Sequence, residues 1–180
     1  MAKEMAVCFV LGLILTAVLI VVFFSPAELP HVTLASLNVS RLNFTSYHIS
    51  GYVDMQFHVL NANLLTNFSY DDVYCSMYHG KRRLATTVFP AFFQRASETK
   101  PINFTVYLAP VTTATELRKE LAPCSFEEFD VKLDTFIKWR FGSSSSKSVR
   151  VSCNEVPVGL VLTAPGHGMM IGPARTCKVF

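Results

Sequence analysis

The chain is poor in the patterns that carry chemistry. It has no C-x-x-C pair and no cluster of cysteine with histidine, which removes the usual spacings of a zinc site. It has no H-E-x-x-H and no phosphate-binding Gly-Lys-Ser/Thr loop. It also lacks G-x-S-x-G, because Gly142 opens a serine run without a second glycine in place. GHGMMIG, residues 166–172, is the nearest thing to a glycine-rich fingerprint, but its third glycine falls one place late and it does not open a helix, so it reads as a loop. His31, His48, His58, His79 and His167 are scattered. Catalysis needs two or three groups brought together, and nothing here flags such a set. These absences argue against an enzyme, and no catalytic residue, metal ligand or cofactor is assigned.

Charge is scarce as well. Only 16% of the 180 residues are charged and the formal net charge is +3, a weak balance that does not call for nucleic acid. The scarcity is concentrated in residues 5–24, MAVCFVLGLILTAVLIVVFF, twenty consecutive residues without a charge. As a helix rising about 1.5 Å per residue, this segment matches a hydrocarbon core roughly 30 Å thick. A cleaved signal is the competing reading, with Ser25 and Ala27 as small residues before Glu28, but a signal core spans only about 7 to 15 apolar residues. An uncleaved anchor is therefore expected. Lys3 precedes the segment and no Lys or Arg follows it before Arg41, which puts the N-terminus on the cytosolic side. The implied division is a cytosolic tail 1–4, a transmembrane helix 5–24, a linker 25–31 and an ectodomain 32–180.

Two features fit an ectodomain outside the cytosol. Four of the seven asparagines, Asn38, Asn43, Asn67 and Asn103, stand in N-x-Ser/Thr acceptors, where the Ser and Thr content predicts roughly one by chance. Apolar residues flank Asn38, Asn43 and Asn103, so in a strand these side chains point outward. Cys75, Cys124, Cys153 and Cys177 form an even set beyond the membrane segment, with three possible pairings. Cys153 ends an inward series with Val149 and Val151, and Cys177 begins the final CKVF after a Gly/Pro-rich stretch of little periodicity. A Cys153–Cys177 bridge is thus the stronger expectation, and Cys75–Cys124 the weaker.

The ectodomain reads as strands. Val53, Met55, Phe57 and Val59 alternate with Asp54, Gln56 and His58; Ile102, Phe104, Val106 and Leu108 repeat the pattern; residues 129–141 give the longest run. That run ends at FGSSSSKS, read as a turn with the serines 143–146 in a loop, and resumes at Val149. Residues 112–122, TTATELRKELA, carry the single helical pattern. The expected fold is an all-β antiparallel β-sandwich of the immunoglobulin or fibronectin III kind, with one short helix, after the transmembrane helix. Asn61 and Asn63, in NANLLTNFSYDD, follow a strand and mark a strand-to-strand corner. Two surface features are candidate contacts. One is the basic turn Lys81, Arg82 and Arg83, suited to an acidic partner. The other is Phe92 and Phe93 within FPAFFQ, whose aromatic rings cannot all face one side of a strand.

The order of these segments, an apolar helix, an alternating strand into NAN, SYDDVYCSMYHGKRRLA, FPAFFQ, TKPINFTVYL and KWRFG…VRVSCNEVPV, resembles the plant NHL proteins. These are the harpin-induced and non-race-specific disease-resistance-like members of the late-embryogenesis-abundant type 2, or water-stress and hypersensitive-response, domain family. Ala62 stands where that family's corner usually has proline. The resemblance implies a single-pass plasma-membrane protein with an extracellular domain, acting in defence or stress response without enzymatic activity. It also matches a cysteine after the last long hairpin and another near the C-terminus. A protein, a wall component and a second copy of the chain, as a homo-oligomer, are the open classes of partner. A lipid or other apolar ligand held in the domain is the alternative function.

Overall fold

The computed structural model describes residues 9–17, 27–44, 49–108, 124–141, 143–161 and 166–180. Residues 9–17 are helical. The rest of the expected transmembrane segment, and the helix expected at 112–122, lie outside the described residues, among which no helix is long and apolar enough to cross a membrane.

Twelve strands follow: β1 (His31–Phe44), β2 (Ile49–Leu60), β3 (Phe68–Tyr70), β4 (Val73–His79), β5 (Arg82–Phe89), β6 (Phe92–Gln94), β7 (Thr99–Leu108), β8 (Cys124–Phe141), β9 (Ser143–Val161), β10 (Gly166–Met170), β11 (Arg175–Thr176) and β12 (Lys178–Val179). The all-β, antiparallel expectation holds. The division into two sheets does not, because all twelve strands join one sheet whose main path runs β5-β4-β8-β9-β10-β1-β2-β7. Its end strands, β5 and β7, come back beside each other, with the Phe89 and Phe104 rings 5.7 Å apart. The sheet thus curls into a nearly closed barrel. Alternation, reset in β1 by a bulge between Leu34 and Ser36, puts Leu34, Leu37, Val53, Phe57, Ile102, Val131 and Val151 inside, all buried, while Asp54, Gln56, Lys132 and Asp134 face out or lie at the surface.

Two segments that look like loops in the sequence are strands. Ser143–Ser146 belong to β9 and pair residue for residue with β8, Ser145 opposite Trp139 and Ser146 opposite Lys138. GHGMM is β10, paired to β9 on one side and β1 on the other. Its glycines permit close approach rather than a turn: a Cβ on Gly168 would lie 2.5 Å from Leu160 Cδ2 and 2.9 Å from the Gly159 carbonyl oxygen.

Because every neighbouring pair on the path is antiparallel, the connections sort to two ends. The C-terminal ends of β1, β4, β7 and β9 and the starts of β2, β5, β8 and β10 share one end. The start of β1, the β2–β3 corner, the β6–β7 turn, the end of β8 and the start of β9 share the other. Residues 27–30, expected as part of a linker, are docked at this second end, where Ala27 and Leu29 pack against the core and Pro30 is buried.

Candidate functional site

The densest polar arrangement lies at the end where the chain enters the barrel. Asn61 terminates β2 and is fully buried. Its amide Nδ2 donates to the carbonyls of Thr66 (2.8 Å) and Arg95 (3.0 Å), and its Oδ1 accepts from the Asn63 backbone N–H (3.1 Å) and from Asn63 Nδ2 (2.9 Å). Every capacity of that amide is used, as its burial requires. Asn63 then acts as a strand would. Its Nδ2 donates to the Glu28 carbonyl and its Oδ1 accepts from the Glu28 N–H, both at 2.9 Å. Its own carbonyl accepts from the N–H of Ser97, a residue held at φ 56°. Gln94, also fully buried, donates to the carbonyls of Val59 and Glu98 and accepts from the Tyr70 hydroxyl at 2.7 Å. The two asparagines that mark a corner in the sequence are therefore a latch that ties Glu28, the β2–β3 corner and the 95–98 turn together.

Sequence reasoning missed Glu28 and Gln94 as members of this latch. The one signal for Gln94 is its position, a lone polar residue closing an aromatic run. Asn67 contributes as well, its Oδ1 accepting from the Ala96 N–H at 2.8 Å.

The four acceptor asparagines are all exposed. Asn38 and Asn43 stand on the outer face of β1 and Asn103 on that of β7, Asn38 opposite Asp54 and Asn103 opposite Gln56 on β2. The Thr105 hydroxyl, two residues beyond Asn103, donates to Asp54 at 2.6 Å.

Lys81 sits in the β4–β5 turn after Gly80, which takes φ 56° as a tight hairpin requires. Lys81 and Arg83 are exposed and Arg82 is half-buried. This turn is at the opposite end of the barrel from Glu28. Phe92 and Phe93 part company: Phe92 is half-buried, stacked on Tyr70 with centroids 4.2 Å apart, whereas Phe93 is 52% exposed. Phe92 is thus a core-edge residue and only Phe93 offers a free face. Lys100 bridges them, its Nζ donating to the Phe93 carbonyl and lying 5.2 Å from the centre of the Phe92 ring.

Cys153 and Cys177 are disulfide-bonded. Cys75 is a buried free thiol, so the Cys75–Cys124 bridge is not made. The register shows why. Cys75 lies opposite Leu133, while Cys124 lies at the far end of β8, nine residues and about 30 Å of extended strand away, where a disulfide tolerates at most about 7 Å between Cα atoms. Burial pushes the Cys75 thiol up from 9.0 to about 12, which makes it inert as a nucleophile.

Elsewhere, His79 Nε2 and Glu127 Oε2 meet at 3.0 Å against the Phe129 ring. The Ser76 hydroxyl pairs with that of Thr86 rather than with a base. Among the described residues no group of three His, Cys, Asp or Glu side chains is placed to hold a metal ion. A depression of about 300 Å³ beside Cys153 is lined by Ser152, Asn154, Glu155, Arg175, Thr176 and Lys178, a polar and charged set unsuited to an apolar guest.

No protein-family model matches the chain, and no curated protein matches it. Among solved structures it is similar to a protein from Archaeoglobus fulgidus at 7% identity, with 72% of this chain and 97% of that chain covered and a TM-score of 0.33. A likeness so remote carries no argument about function.

Proposed function

We propose that this chain is a single-pass, membrane-anchored, non-enzymatic interaction module of the late-embryogenesis-abundant type 2 kind. In this reading it belongs to the plasma membrane, with its N-terminus cytosolic and its barrel extracellular, and acts in plant defence or stress response. The observation that carries the anchor is the surface of residues 9–17. Phe9, Val10, Leu11, Leu13, Ile14 and Leu15 project on every side of the helix and each is at least half exposed. A helix apolar all round has no water-facing side and finds its partner in lipid. The lone polar group there, the Thr16 hydroxyl, donates back to the Gly12 carbonyl at 2.8 Å, which satisfies it without water.

The interaction role rests on what the barrel offers. It has exposed acceptor asparagines, a basic turn at the end far from Glu28, and no convergent nucleophile and base among the described residues. An apolar carrier gains less support, because the interior is filled by Phe57, Phe68, Leu34, Leu37, Met55 and Met77, each essentially fully buried. The test is made on protein purified from plant membranes. It should retain its N-terminal tail in intact mass and lose mass on treatment with an N-glycosidase. A mature N-terminus at Glu28 would make this a secreted protein and end the proposal.

A further inference from the structure

Two exposed leucines follow the Asn63 latch. Leu64 is 81% and Leu65 55% exposed, directly after the residue whose side chain grips Glu28 on both its N–H and its carbonyl. Residue 27 already packs on the core, so only Ser25 and Pro26 separate the barrel from the end of the uncharged segment at Phe24. From Phe24 to Glu28 the chain reaches at most about 14 Å, whatever its conformation. If residues 5–24 span a bilayer, the end of the barrel that carries Leu64 and Leu65 is held at its surface.

The surroundings of the two leucines suit that surface. Phe93, 52% exposed, lies one residue from Gln94, which is bonded into the same end of the barrel. Lys100 holds the Phe93 carbonyl, and Arg95 is exposed on the turn stitched to Asn61. The Glu98 carboxylate accepts from the Arg95 N–H at 2.6 Å. Exposed leucine and phenylalanine beside Lys and Arg is the composition of a segment seated at a headgroup boundary. We infer that the Leu64–Leu65 tip, with Phe93 beside it, rests in the headgroup region of the membrane that holds residues 5–24. The barrel then stands upright, and the Lys81–Arg83 turn points away from the bilayer. This inference rests on the anchor reading and adds to it a second, peripheral contact that fixes orientation.

Single tryptophans placed in the full chain test it, with native Trp139 a constant background in every variant. Leu15→Trp, Leu65→Trp and Phe126→Trp proteins are reconstituted in phosphatidylcholine vesicles doped with phosphatidylcholine spin-labelled near the headgroup or near the chain end. All three positions are more than half exposed, so the substitutions disturb little packing. The expected result is strong quenching of the residue-15 probe by the deep label. The residue-65 probe is quenched more by the shallow label than by the deep one, and the residue-126 probe, at the far end, stays at background. If residue 15 is quenched and residue 65 is not, the anchor stands and the tip faces a protein or a second copy, which overturns the inference. Equal quenching at residues 65 and 126 overturns it too, because the barrel then lies on its side. If neither 15 nor 65 is quenched, the anchor reading fails and takes the inference with it.

Discussion

Asn61 has no exposed surface and no unused side-chain hydrogen-bonding group, so a change there leaves several partners stranded at once. Asn61→Ala removes the donor to Thr66 and Arg95 and the acceptor for Asn63, and is expected to cost about 3 kcal/mol in urea unfolding. Asn61→Asp keeps the acceptor but sets a carboxylate against two carbonyls, and should be no milder. Cys75 gives a second prediction, in pH. The unfolded thiol ionises near 9, while the folded one is held protonated to about 12. Between those values the unfolded chain binds fewer protons. The contribution of Cys75 is therefore complete below about pH 9 and is lost as pH rises, by up to about 1.4 kcal/mol per pH unit. Buried Tyr70, its hydroxyl raised by desolvation, adds the same sign at higher pH. Urea midpoints measured across that range should fall with pH, and the Cys75→Ala chain should begin its fall later. The asparagine corner was legible because asparagine side chains favour turns, but its partners were not: Glu28 and Arg95 are 33 and 34 residues from Asn61.

Among the elements, alternation of apolar side chains located β2, β7 and β8 and assigned their faces correctly. It failed where the side chain is small. Serine and glycine carry no hydrophobic signal, and in one dimension both read as turn residues. In the sheet, the smallness of glycine is what the neighbouring strand uses. Gly168 lets β10 lie against the Gly159 carbonyl and the Leu160 side chain of β9, and a Cβ there would meet both. Gly168→Ala is expected to cost about 1–3 kcal/mol through a forced shift of Leu160 and of the strand beneath it. His167→Ala, on the outward neighbour, is expected to stay within about 0.5 kcal/mol. Equal losses in thermal melts of the two variants would mean that the close packing of β10 does not set its fit.

At the scale of the whole molecule, alternation names the inside of each strand but not its neighbour, which is why two sheets were expected and one curled sheet was found. The joint between its two halves, where β10 links β9 to β1, is short. β10 fills the space between β9 and β1 only as far as Met170. Beyond it the C-terminal residues take over, with β11 pairing Thr33–Leu34 of β1 and β12 pairing Val151–Ser152 of β9. Each pairing covers two residues, too few to hold by ladder bonds alone. The Cys177 N–H donates to the Val32 carbonyl while its sulfur is bonded to Cys153 on β9, so one residue ties both flanking strands. The bridge closes a loop of 24 residues, for which restriction of the unfolded chain contributes about 3.5 kcal/mol. Reduction should therefore lower the unfolding free energy by about that amount, and its first effect should be local. Amide exchange is expected to quicken at Cys177 and Phe180, whose N–H groups bond across to Val32 and Arg150, before it changes in the β2–β7 ladder. If exchange rises evenly over the barrel instead, the C-terminal strands are held by the sheet itself and the disulfide is not their clasp.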